Sequence, residues 1–161
     1  MIKPTIHSGP EVLAEFAKEC EEALLTEVQC EFVYPSGCGL QCWPIDDIKN
    51  QNQDFLKNLN GRANVYAIFV RQNPSNAWNL VYVGQRKSAN LRERLTQHLI
   101  RKSAQTGSML EDVKSAVAEG KEIGVSCIKV EPESLRLFVE ETIIRSLERK
   151  PPWNKHGTGP L

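Results

Sequence analysis

Asn64-Val65-Tyr66-Ala67-Ile68-Phe69-Val70 and Leu80-Val81-Tyr82-Val83-Gly84 are the two stretches on which the fold turns. Both are filled with β-branched and aromatic residues, which suit a pleated, half-buried surface. Between them, Arg71 to Asn79 carry the turn-forming run Asn73-Pro74-Ser75-Asn76. The pattern predicts an antiparallel hairpin with a long loop, each strand bearing one tyrosine.

Downstream, Asn90-Leu91-Arg92-Glu93 has the form of a capping box. Leu91, Leu95 and Leu99 then stripe one face of a helix reaching about Lys102. Ser108 to Glu119 predicts a further helix, stopped at Gly120, and Glu122 to Val130 predicts a third strand. Pro132 opens a last helix, to about Arg149, which Pro151-Pro152 cannot prolong. The order β-β-α-α-β-α predicts an α+β domain with a small three-stranded antiparallel sheet flanked by helices.

Upstream, Pro10 to Cys30 reads as a helix: Val12, Leu13, Phe16, Cys20, Ala23 and Leu24 recur at three- and four-residue steps, with seven glutamates from Glu11 to Glu31. Ser8 or Gly9 is placed to cap it. Residues 31–45, with two prolines and two glycines, predict irregular chain or a short hairpin. Ile45 to Leu59 predicts a short helix ending at Asn60-Gly61. Residues 1–61 are therefore expected to form an N-terminal helical and irregular extension, 62–157 the main domain, and 158–161 a tail.

The formal net charge is zero, yet residues 1–63 carry five basic side chains against ten acidic, and residues 64–161 carry fifteen against ten. Arg86, Lys87, Arg92, Arg94, Arg101 and Lys102 cluster with a single acid, Glu93. Such density suits a polyanion, or else a solvated helix face. No apolar run approaches the roughly 20 residues of a membrane span, and the N-terminus lacks a secretory pattern, so a cytoplasmic protein with no membrane partner is expected. The odd set Cys20, Cys30, Cys38, Cys42 and Cys127 then points to reduced thiols. Cys38 and Cys42 have no second close pair to complete a zinc site.

Tyr66, Tyr82, Arg94, His98, Glu140 and Asn154 follow one another on these elements, and at this point the chain resembles the GIY-YIG nuclease family, whose histidine-containing members include restriction endonucleases. The family's name is written here as Asn64-Val65-Tyr66 and Tyr82-Val83-Gly84, with asparagine in place of the first glycine. Arg94 and His98 follow on the next helix, Glu140-Glu141-Thr142-Ile143-Ile144 on the last, and Asn154 after Pro151-Pro152-Trp153. The resemblance spans about residues 62–157. It implies a GIY-YIG-like nuclease domain there, a divalent metal (Mg²⁺ or Mn²⁺) on Glu140, and DNA as partner.

Within that frame, Arg94 and His98 share a helical face, which favours Arg94 over Arg92 as the phosphate ligand. His98 is read as a general base or its partner, titrating near working pH. The resemblance puts Tyr66 beside the attacking water and makes Tyr82 a positioning group. Glu141 has Arg145 for an i,i+4 partner, whereas Glu140 borders Leu137, Ile143 and Ile144, where a carboxylate needs a cation. Arg136 is the alternative partner for Glu140. Asn154 is read as polar support, or else as a helix-end cap. Arg86, Lys87, Arg92, Arg101 and Lys102 are the expected DNA-backbone contacts.

The function expected is a metal-dependent DNA endonuclease hydrolysing phosphodiester bonds, in restriction or defence. The alternatives are a DNA-repair or mobile-element nuclease and a non-catalytic or partner-dependent nucleic-acid-binding module. The acidic helix 10–30 is the candidate surface for a homodimer or a protein partner.

Overall fold

The computed structural model describes residues 10–102 and 109–154. The suggested caps Ser8 and Gly9, the helix start at Ser108 and the tail 158–161 lie outside them. The elements are α1 (Pro10–Leu25), β1 (Cys30–Phe32), α2 (Ile45–Gln51), α3 (Gln53–Asn58), β2 (Val65–Arg71), β3 (Asn79–Gln85), α4 (Leu91–Leu99), α5 (Leu110–Ala118), β4 (Glu122–Ile128) and α6 (Arg136–Ser146). Short 3-10 turns at Ser88–Asn90 and Glu133–Leu135 lead into α4 and α6. No described helix is long and apolar enough to cross a membrane.

The fold is α+β, with a four-stranded antiparallel sheet in the order β1-β4-β2-β3. The expected sheet had three strands. The fourth is β1, which pairs Cys30 with Val125 and Phe32 with Ile123. Three residues beside an acidic helix carry no period that would mark a strand, and the pairing partner lies far along the chain.

Strand β2 is buried on both faces, which accounts for its unbroken apolar run. Tyr66, Ile68 and Val70 join one core with Leu91, Leu95 and Leu99 of α4 and Val113 of α5. Val65, Ala67 and Phe69 join the other, with Leu24 of α1 and Val139 and Ile143 of α6. The leucine stripe is where the sequence predicts it. The capping box is not: Asn90 makes no side-chain cap, because the 3-10 turn runs straight into α4. The expected single helix over 45–59 is two, parted at Asn52.

Three asparagines bind the sheet's loose ends in one manner, each gripping both peptide groups of a single valine. Asn52 accepts from Val33 N at 2.8 Å and donates to Val33 O at 2.7 Å. Asn64 does the same for Val130 at 2.7 and 2.8 Å. Asn154 does so for Val83 at 3.0 and 2.7 Å. A side-chain amide carries the donor and acceptor of a peptide, so each substitutes for a missing strand neighbour. The Asn52 grip also leaves that residue between α2 and α3. All three asparagines are buried, where losing such partners is expensive.

Candidate active site

Tyr66 projects from the central strand and Tyr82 from the edge strand, and α4 brings His98 against both. The ring centroids form a triangle: 5.8 Å between the tyrosines, 6.0 Å from Tyr66 to His98 and 5.3 Å from Tyr82 to His98. The Tyr66 hydroxyl and His98 Nε2 are 3.0 Å apart. Gly84 lies across the ladder from Tyr66. A Cβ there would fall 2.5 Å from the Tyr82 ring and 2.7 Å from the Tyr66 ring and hydroxyl, so only glycine admits this pair.

The cluster is graded in depth. Tyr66 is fully buried and His98 is 1% exposed, whereas Tyr82, Arg94 and Glu140 are half-buried. Burial raises the Tyr66 phenol well above its ordinary value; Tyr82 raises it further, and the Arg94 guanidinium, hydrogen-bonded to it, pulls the other way. Burial also raises Tyr82, which hydrogen bonds to Tyr66 and Arg94 lower and the Glu140 charge raises. Tyr82 thus feels Arg94 from α4 and Glu140 from α6 at once. Both phenols are neutral at pH 7.

His98 departs from its expected titration near neutrality. Burial, and then Arg94, hold it down at about 3, so the imidazole is uncharged at working pH. Its Nδ1 is buried with no hydrogen-bond partner among the described residues. Proximity of an arginine one turn away was legible in the sequence; complete burial of the ring was not.

Glu140 is pushed up to about 7, by burial first and by Glu141 second. The alternative cation is occupied elsewhere: Arg136 donates from Nε to Gln85 Oε1 at 2.9 Å and from Nη1 to the Glu133 carbonyl at 2.9 Å. No group of three or more His, Cys, Asp or Glu able to hold a metal ion occurs among the described residues. With the Asn154 amide committed to Val83, the donor that Glu140 offers is a hard carboxylate. One carboxylate suits Mg²⁺ or Mn²⁺ completed by water and substrate phosphate. It does not suit a metal caged by protein alone.

Asn154 therefore reaches the cluster through the backbone, fixing Val83 between Tyr82 and Gly84. Asn64, which stands in the first glycine's position, was missed as a structural residue. Its amide N donates to the Ile128 carbonyl and its carbonyl accepts from Arg86 N, both at 2.9 Å, so it joins β2 to both neighbours. Among the basic residues, Arg86, Lys87 and Lys102 are exposed and Arg92 is half-buried. Arg101 is paired with Glu93 at 3.0 Å. All five cysteines are free thiols.

Comparison of the chain with family models, with curated proteins and with solved structures finds no match.

Proposed function

We propose that this protein is a divalent-metal-dependent endonuclease that hydrolyses DNA phosphodiester bonds, of the GIY-YIG type, with a role in restriction or defence. The observation that carries the reading is the meeting at Tyr82 of Tyr66 and His98 from behind, Arg94 from α4 and Glu140 from α6. A half-buried phenol between a guanidinium and a carboxylate with no ion-pair partner among the described residues is the equipment that phosphodiester hydrolysis needs.

In this reading the Arg94 guanidinium grips the scissile phosphate and offsets the charge that grows on it. Tyr82, not the buried Tyr66, is the phenol within reach of the attacking water, and it orients that water toward phosphorus. Tyr66, itself bonded to His98 Nε2, holds the Tyr82 hydroxyl, and the pair offers the departing proton an inward path. An arriving phosphate opposes the Arg94 charge that helps depress His98, so the imidazole becomes a better acceptor when substrate is bound. Glu140 would hold Mg²⁺ or Mn²⁺, which supplies Lewis-acid stabilisation of phosphate and leaving-group oxygens.

The burial of Tyr66 and His98 favours a second reading, a DNA-binding module without cutting. One experiment separates them. Supercoiled plasmid, linear duplex and single-stranded DNA are incubated with Mg²⁺, with Mn²⁺ and with chelator, beside folded Glu140→Ala and Arg94→Ala proteins. Metal-dependent cutting lost in both variants supports the nuclease. Binding without cutting by the wild type supports the module.

A further inference from the structure

Behind α4, away from Arg94, lies a hollow of about 280 Å³ lined by Lys49, Asn60, Arg92, Glu93, Thr96 and Arg101. Lys49 comes from α2, in the acidic part of the chain, and Asn60 from the turn after α3. Tertiary structure thus brings a lysine from the N-terminal part to a basic helix more than forty residues later.

The hollow holds three cations and one carboxylate. Glu93 is engaged with Arg101 at 3.0 and 3.3 Å and accepts from Gln97 at 3.4 Å. The Lys49 ammonium and the Arg92 guanidinium have no hydrogen-bond or ion-pair partner among the described residues. Two unpaired cations facing one polar hollow repel each other, and an anion between them removes the repulsion.

We infer that this hollow seats a DNA backbone phosphate distinct from the one being cut. The inference rests on the nuclease reading and adds a second anchoring point to it. Arg92 and Arg94 are two residues apart, hence about 200° around one helix, on opposite sides of a cylinder about 10–12 Å wide. A phosphate in the hollow and one at Arg94 would then lie on opposite sides of α4, which stands between them as a spacer.

The test is the salt dependence of binding to a labelled duplex, with chelator present to prevent cutting. The Lys49→Ala/Arg92→Ala protein is expected to show a slope of log affinity against log salt shallower by about 0.9, which is about eightfold weaker binding near 0.1 M salt. Neither side chain supports another, so the fold is expected to survive, as checked by thermal melting. Glu93→Gln supplies the opposite sign: it removes the one acid of the hollow, and binding is expected to tighten. An unchanged slope in the double variant, with cutting retained, overturns the hollow and leaves the nuclease reading standing. Both shifts in a protein that binds but never cuts support the hollow and sink the nuclease. Wild-type protein that binds no DNA overturns both.

Discussion

Tyr66 and Gly84 face each other across the β2–β3 ladder, and the tyrosine hydroxyl occupies space that a methyl group on Gly84 would need. The glycine is thus a packing requirement of the two phenols. Gly84→Ala forces at least one ring to move, at a cost of about 1–3 kcal/mol. The expected result is lower stability in urea together with a loss of cleavage larger than the stability loss accounts for. Full activity in Gly84→Ala would mean that the phenol pair is not held as described.

The His98 ring titrates far below its ordinary range, at about 3. A base whose folded value is depressed contributes stability in full above the ordinary value near 6.5, and loses it as pH falls toward 3. Relative to His98→Gln, the wild type is therefore expected to lose up to about 1.4 kcal/mol per pH unit across that window. Parallel pH–stability curves would show that the ring is not desolvated.

Glu140 behaves in the opposite sense. Its folded value is raised to about 7, so the fold favours the protonated acid, and stability is lost as pH climbs from the ordinary carboxylate value to 7. Glu140→Gln is expected to be more stable than wild type at pH 8, by on the order of 1–2 kcal/mol after allowance for solvent screening, and equal to it at pH 4. Mg²⁺ added at pH 8 is expected to raise the melting temperature of the wild type and not that of Glu140→Gln. A Mg²⁺ effect of equal size in both would move the metal elsewhere.

Among the described residues the Asn154 side chain hydrogen-bonds only to Val83, so its removal is expected to act on structure first. Asn154→Ala leaves the Val83 N–H and carbonyl without their partner, at about 1–3 kcal/mol. Asn154→Asp retains an acceptor but sets a carboxylate against the Val83 carbonyl, and is expected to be worse. Metal titration by calorimetry is expected to give wild-type affinity for Asn154→Ala. A large loss of metal affinity would make the amide a ligand after all.

The hairpin, the leucine stripe of α4 and the β-β-α-α-β-α order were legible because each rests on a local period: two for strands, three to four for helices. The meeting of Tyr66, Tyr82, Arg94 and His98 was legible through ordered motif positions. Strand β1 was not, since its pairing with β4 is long-range and its three residues resemble the end of an acidic helix. The three asparagine grips were not, because a side-chain amide that completes a sheet edge looks in sequence like any turn residue. Lys49 beside Arg92 is a product of tertiary packing alone. The low value of His98 depends on a depth of burial that helical spacing does not report.

The most direct measurement is the single-turnover cleavage rate of plasmid DNA by Arg94→Ala beside the wild type, in saturating Mg²⁺, with both proteins shown to be folded. Removing one preorganised donor to a developing phosphate charge costs about 10²–10³-fold, and a loss of that size, with DNA still bound, is the expected result. A variant that cuts at the wild-type rate, or a wild type that binds DNA and never cuts in any metal, would contradict the assignment of this tyrosine–arginine–histidine cluster as a nuclease centre.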